Sequence, residues 1–402
     1  VNVSAIVRGL AVGLGFAVAV AACTSDPDKP YNPPSQSGSG PATASTSVGD
    51  GSTGGDTTDT GDTDTDTGGV VPTDYNYAFV SSETYVAGEI GGTVEADLKC
   101  QALADAAGLD GNYVAWLSTA TGDAKSKLAG ARAWVRTDGR PFVDDVTDLI
   151  NGRTLFPLGV DEWGQRLDDV TVVTATDPTG VRYSDADHGT CDDWTSTDPQ
   201  LATTGGVSDT GDASWTQWDS LSIGCDAAVH LYCFGIDASE PLDFEPTQGR
   251  VAFVTAQPLL PSVGLEVADS LCAEEAGQGG LIGEFRAMMA TDTATALGRF
   301  DLDGATWVRP DGVPIVEAAA DLPDGILAPI ARTADGVVAY PSLAWTGAPD
   351  PETASSLESC SSWTTLVGEA RVGLSSRSTS GWFDSESLAC DADYGVVYCF
   401  ET

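Results

Sequence analysis

Residues 75–402 carry one pattern twice, and nothing else in the chain restricts its possible folds as much. Tyr77-Ala-Phe-Val-Ser81 returns as Val251-Ala-Phe-Val-Thr255, and Trp134-Val-Arg-Thr-Asp-Gly139 returns as Trp307-Val-Arg-Pro-Asp-Gly312. Cys191-Asp-Asp-Trp-Thr-Ser196 returns as Cys360-Ser-Ser-Trp-Thr-Thr365, and Leu231-Tyr-Cys-Phe234 as Val397-Tyr-Cys-Phe400. The spacing between partners shrinks toward the C-terminus, as small loop deletions in the second copy would produce. A repeat this long signals tandem domains, not a solenoid of short units. The expected boundaries are 75–238 and 250–402, joined by an acidic, Pro-bearing linker at 239–249.

Each copy reads as a mixed α+β unit with long loops. In the first, a strand over Tyr77–Ser81 leads through glycines into a helix on which Val94, Leu98, Ala102 and Ala106 recur at spacing four. Gly108 is placed to close that helix. Short strand-like runs follow at Tyr113–Leu117 and Ala133–Arg136, with Asp138-Gly139 as a turn, and the copy ends on a strand over Val229–Phe234. Residues 174–214, rich in Asp, Thr and Gly, read as loops.

Nine cysteines divide into Cys23 and four in each copy: Cys100, Cys191, Cys225, Cys233, then Cys272, Cys360, Cys390, Cys399. Even, repeated cysteines in an exported chain argue for disulfides, but four cysteines permit three pairings and spacing does not choose among them. Zinc fits poorly, because neither copy has a CxxC and the second has no His.

Export is read from residues 1–23. Arg8 precedes an apolar run from Leu10 to Ala22, too short for a permanent span and ending in small residues, as a secretory signal does. Val20-Ala-Ala-Cys23 resembles the bacterial lipobox, which implies lipidation of Cys23 and, with Thr24 after it, an outer-membrane or cell-surface location. Residues 24–74, dominated by Pro, Gly, Ser, Thr and Asp, read as a disordered stalk. Of the formal charge of −42, residues 75–240 carry −18 and residues 241–402 carry −17, nearly equal shares. Such a surface repels nucleic acid and heparin-like polyanions, so neither is an expected partner, and membrane contact is expected through the lipid anchor alone.

Several features together resemble endostatin, a member of the C-type-lectin-like superfold. They are Gly91-Gly92, Cys100 on a helix, Ala107-Gly-Leu109, Ala115-Trp-Leu-Ser118, Trp134 to Gly139, Cys191 to Trp194, and Cys225 with Cys233. The second copy keeps most of these, including Trp345-Thr-Gly347, but has Ala287-Met-Met-Ala290 in place of the Ala-Trp-Leu-Ser run. The resemblance implies two tandem C-type-lectin-like domains and a nested pairing: Cys100–Cys233 with Cys191–Cys225, and Cys272–Cys399 with Cys360–Cys390. Endostatin's basic surface and zinc histidines are missing, as are the Glu-Pro-Asn and Trp-Asn-Asp signatures of calcium-dependent lectins. Fold is what such a likeness transfers, not ligand.

No Gly-x-Ser-x-Gly, His-Glu-x-x-His or phosphate-binding glycine loop occurs. His188 and His230 both lie in the first copy, so the repeats share no histidine chemistry. The expectation is a non-enzymatic binding or adhesion protein whose ligand is a glycan or a cell-surface protein. The alternatives are a structural envelope protein, or a hydrolase with an unrecognised site. No cofactor is expected. The one candidate cation site, for calcium, comprises Asp219 and Asp384, six residues before the third cysteine of each copy, with Asp226 and Asp391 directly after that cysteine. Trp134, Trp194, Trp307 and Trp363 read as core.

Overall fold

The computed structural model describes residues 74–402 apart from 184, 186, 187, 219, 220 and 341. Cys23, the signal-like segment, the spacer up to residue 73 and Asp219 lie outside the described residues. What is described is mixed α+β, rich in short strands, with few helices and four disulfides.

In the first copy β1 (Asn76–Val80) is followed by α1 (Thr93–Ala107), β2 (Tyr113–Ala115), β3 (Trp134–Arg136) and β4 (Pro141–Val143). After a long irregular stretch containing β5 (Thr171–Val173) and β6 (Gly205–Val207), the copy closes on β7 (Tyr232–Gly235). The sheet runs β2-β7-β1-β3-β4. β1 pairs antiparallel with β7, Phe79 opposite Cys233, and parallel with β3, so α1 belongs to the crossover between parallel neighbours.

The second copy repeats this. β8 (Arg250–Val254), α3 (Leu265–Gln278), β9 (Phe285–Ala287), β10 (Trp307–Val308) and a terminal β14 (Tyr398–Glu401) form a sheet of order β9-β14-β8-β10. Phe253 faces Cys399, as Phe79 faces Cys233. A separate three-stranded sheet is formed by β11 (Leu343–Trp345), β12 (Glu369–Leu374) and β13 (Glu386–Ala389). The short helix α2 (Val146–Ile150) in the first copy completes the set of elements used below.

Four disulfides fasten these layers, and they are the nested pairs: Cys100–Cys233, Cys191–Cys225, Cys272–Cys399 and Cys360–Cys390. The first bridge corrects the reading of α1. The stripe Val94, Leu98, Ala102, Ala106 does not face the core; Val94 is 70% and Leu98 57% exposed. The buried residues are Ala96, Cys100, Leu103 and Ala104. Bonding Cys100 to the strand beside β1 turns its face inward, and that covalent tie outweighs the apolar preference of Val94 and Leu98. Gly108 does close the helix, in the left-handed region at φ 71.

On the other face of each sheet lies an aromatic core. Trp116, Trp134, Phe142, Trp215, Tyr232 and Phe234 pack together in the first copy, and Trp307, Trp382, Tyr398 and Phe400 in the second. Trp134, Trp194, Trp307 and Trp363 are all fully buried.

The Cys-x-x-Trp motif makes an unusual turn. Cys191, Asp192, Asp193 and Trp194 have φ of 50, 52, 53 and 70°, and Cys360, Ser361, Ser362 and Trp363 have 51, 53, 54 and 66°. Left-handed backbone costs an L-residue roughly 1–2 kcal/mol each. Three contacts hold it in both copies. The cysteine is bridged. The indole donates to a carbonyl, Trp194 to Ser118 at 2.9 Å and Trp363 to Ala290 at 2.7 Å. A hydroxyl, Thr190 or Ser359, accepts the third residue's N–H.

The stretch read as a linker is packed at its centre. Leu242 and Phe244 are buried, and the Leu242 N–H donates to Asp144 at 2.7 Å.

Candidate functional site

Each copy presents a small lobe built from a strand and the turn after it. Gly206 lies so close to the carbonyl of Trp215 that a Cβ would sit 1.8 Å from its oxygen; Gly373 stands in the same relation to Trp382, also at 1.8 Å. Only glycine permits that approach, and the segments 207–212 and 374–379 follow directly from it, largely buried in both copies.

There the two lobes meet. Thr210 bridges antiparallel to Arg377. The Gly211 N–H donates to the Ser376 carbonyl at 2.9 Å, and the Ser378 N–H donates to the Asp209 carbonyl at 3.0 Å. Counting from Gly206 and Gly373, Thr210 and Arg377 are equivalent positions, as are Gly211 and Ser378, and Asp209 and Ser376. The contact is therefore locally two-fold: each copy offers the other the same donor and the same acceptor.

The side chains around this pairing break the symmetry. Arg377 reaches back into the first copy, with Nε 2.9 Å from Asp209 and Nη2 2.5 Å from Asp169, and its guanidinium lies 5.2 Å from the Trp218 ring centre. The Thr379 hydroxyl donates to Asp209 Oδ2 at 2.5 Å. Burial pushes the Asp209 carboxyl up from its ordinary range, and Arg377 and Thr379 only partly counter it.

A second cross-copy contact lies nearby. Arg309 and Arg332, both buried, donate to the single carbonyl of Thr154 at 3.1 Å each and share Asp311 between them at 2.6 and 3.2 Å. Burial lowers Arg332 to about 10, with Arg309 beside it adding to the effect. Burial also works against the Asp311 anion, but the two guanidiniums outweigh it and hold that carboxyl below its usual range. Arg140 adds an exposed bridge to Glu317 at 2.6 Å.

Two connected chambers open along this seam. The outer, about 560 Å³, is lined by Arg166, Asp168, Trp218, Arg377, Thr379 and Asp384 among others. The inner, about 320 Å³, has Arg136, Asp138, Arg166 and Asp209 in its wall. Arginine is scarce in this chain, yet it lines both chambers, each time interleaved with aspartate. Such walls offer donors and acceptors in alternation and suit a polar ligand that uses both.

The sequence candidates for a cation site are dispersed. Asp226 and Asp391 are exposed beside Cys225 and Cys390. Both oxygens of Asp384 accept from Arg371, at 2.9 and 3.0 Å, while the carboxylate borders the outer chamber. The trio of carboxylates the fold does bring together is Asp144, Asp145 and Asp148, around the start of α2. Asp144 there serves Arg132 and the Leu242 N–H, and Asp145 caps the helix. His188 pairs with Asp185 at 3.0 Å, and His230 Nδ1 lies 2.6 Å from the Ser81 carbonyl.

The seam residues Asp209, Arg377, Arg166 and Trp218 were not anticipated from the sequence. The one signal pointing to them is the rarity of cationic residues in so acidic a chain. Among the described residues no helix is long and apolar enough to cross a membrane. No protein family matches the chain, and no curated protein matches it.

Proposed function

We propose that this chain is a surface-anchored, non-enzymatic binding or adhesion lipoprotein. In this reading Cys23 carries the lipid, residues 24–74 form the stalk, and two C-type-lectin-like domains present the binding surface. The polar cleft along the seam supports the reading most directly. Both copies contribute side chains there to one concave, solvent-open volume, and its convergent Arg and Asp side chains beside one aromatic ring are the polar groups that orient a ligand. Its ligand is a glycan or a cell-surface protein.

The test is a screen of the 75–402 fragment against glycans and cell-surface proteins, followed by Trp218→Ala and Arg166→Ala on any hit. Binding that both substitutions weaken at least tenfold supports the seam as the site. Uniform failure to bind would instead favour a structural envelope protein.

A further inference from the structure

The segment Asp209–Asp212 makes the seam, and it is also where buried polar atoms lack partners. Asp209 Oδ1, Asp212 Oδ2, Ser376 Oγ and Arg377 Nε are all buried without a hydrogen-bond partner, on two segments that pair with each other, although that Nε lies within ion-pair distance of Asp209 Oδ2. Tyr232 Oη, whose own ionisation burial and, after it, the Asp209 charge oppose, is in the same condition. A buried carboxylate oxygen without a donor is costly as an anion and much less so as an acid.

Asp212 is the sharper case. It is 2% exposed, sits at φ 57°, and accepts the Ser214 N–H at 2.8 Å on Oδ1, with the Ser214 hydroxyl and the Ala213 N–H also favouring its anion, while Oδ2 has no partner. On its own copy Gly152 is pressed against it, 3.1 Å from Cβ position to Asp212 Cα, while the adjacent Arg153 turns away to Asp148 at 3.4 Å. From the other copy the charged group facing it is Arg332, which is already committed to Asp311 and Thr154 and has Arg309 at its side. Around Asp209 stand Arg377, Thr379, Asp169 and Tyr232, with Arg166 and Asp168 in the wall of the same chamber.

We propose that Asp212 is a proton-sensitive latch on the seam: its protonated carboxyl holds the two copies together, and its ionisation loosens them. The inference goes beyond the binding function proposed above and does not depend on it.

The direction follows from proton linkage. Burial holds Asp212 up to about 7, against 3.8 for the ordinary carboxyl, with the Ser214 bonds and Arg332 opposing. Between those values the closed seam binds more protons than the open one, so closure weakens as pH rises from about 4 to about 7 and then levels off. Three units bound the effect of Asp212 at about a thousandfold in the opening constant, since each unit is tenfold.

Amide hydrogen exchange on the full chain between pH 5 and pH 8 tests this, with the β1 and β8 amides in the same sample correcting for intrinsic rate. The Gly211 and Ser378 amides should lose protection relative to those strands by at least tenfold. Asp212→Asn, which tolerates the left-handed backbone, should flatten that dependence. Seam protection that follows the strands at every pH, or an Asp212→Asn profile parallel to wild type, overturns the proposal. Should the variant fold poorly, carboxyl-carbon NMR titration of the wild-type chain decides: an Asp212 midpoint above pH 6 supports the latch, and one at or below pH 6 refutes it.

Discussion

Arg377→Ala should destabilise the whole described fold, and the structure sets the size of the effect. The guanidinium is 13% exposed and serves two carboxylates of very different surroundings, Asp169 at 68% and Asp209 at 2%. The exposed pair is screened by solvent and contributes under about 1 kcal/mol. Removing one member of a buried pair typically costs about 3–5 kcal/mol, because the other charge stays behind. Two features of this site reduce that cost. Asp209 keeps the Thr379 hydroxyl, and it can take up a proton more readily than an exposed aspartate. Losing the stack on Trp218 adds roughly 0.5–1 kcal/mol. About 3 kcal/mol is therefore expected at pH 7.5, read from urea unfolding followed by tryptophan fluorescence. Arg377→Ala combined with Asp209→Asn should recover at least about 1 kcal/mol of the loss, since most of it is the stranded charge. A single variant within about 0.5 kcal/mol of wild type, or strict additivity in the cycle, would refute the claim that this pair couples the copies.

Gly206→Ala or Gly373→Ala places a methyl group 1.8 Å from a backbone oxygen. Each should cost about 3 kcal/mol or more, or abolish soluble expression, whereas Gly130→Ala, which meets nothing within 4 Å but sits at φ 89°, should cost only its backbone strain, about 1–2 kcal/mol. Melting temperature should rise with NaCl from about 0.01 M to about 1 M, as the screening length falls from about 30 Å to about 3 Å. Under high NaCl, millimolar calcium should add nothing beyond magnesium, because Asp384 is held by Arg371 and Asp226 and Asp391 stand in solvent. A calcium-specific rise that Asp384→Asn abolishes would overturn that expectation.

The strands at Tyr77–Ser81, Tyr113–Leu117 and Ala133–Arg136, the Asp138-Gly139 turn and the C-terminal Gly108 were legible because each rests on local chemistry. The strand read over Val229–Phe234 is broken, its Ala228–Val229 part lying in a different sheet from Tyr232–Gly235. Gly139 has φ 87° between β3 and β4, as a hairpin turn of this kind needs. The α1 face was not legible. A spacing-four run of apolar residues predicts a buried stripe, but the Cys100 bridge fixes the rotation of the helix and leaves Leu98 outside. The left-handed Cys-x-x-Trp turns carry no glycine to announce them, and part of their support, the carbonyl each indole donates to, lies over seventy positions away. The seam was invisible for a related reason. Its pairing involves three residues on each side, from stretches rich in Ser, Thr and Gly that have no apolar period, and it closes across a separation of 167 residues, from Thr210 to Arg377.

The nested disulfides also set how far this protein can be stretched. A tension applied between the ends of the described chain passes from Cys100 to Cys233 through sulfur, and again from Cys272 to Cys399. The polypeptide inside those two loops is bypassed and bears no force, however completely it unfolds. The extensible path is about 70 residues, roughly 240 Å, where the same chain with its bridges reduced would yield over about 1,000 Å. The seam segments lie inside the bypassed loops, so parting their three-residue pairing adds no length to the extensible path. Oxidised, the protein is a stiff tether of limited reach; reduced, it becomes a long and compliant one.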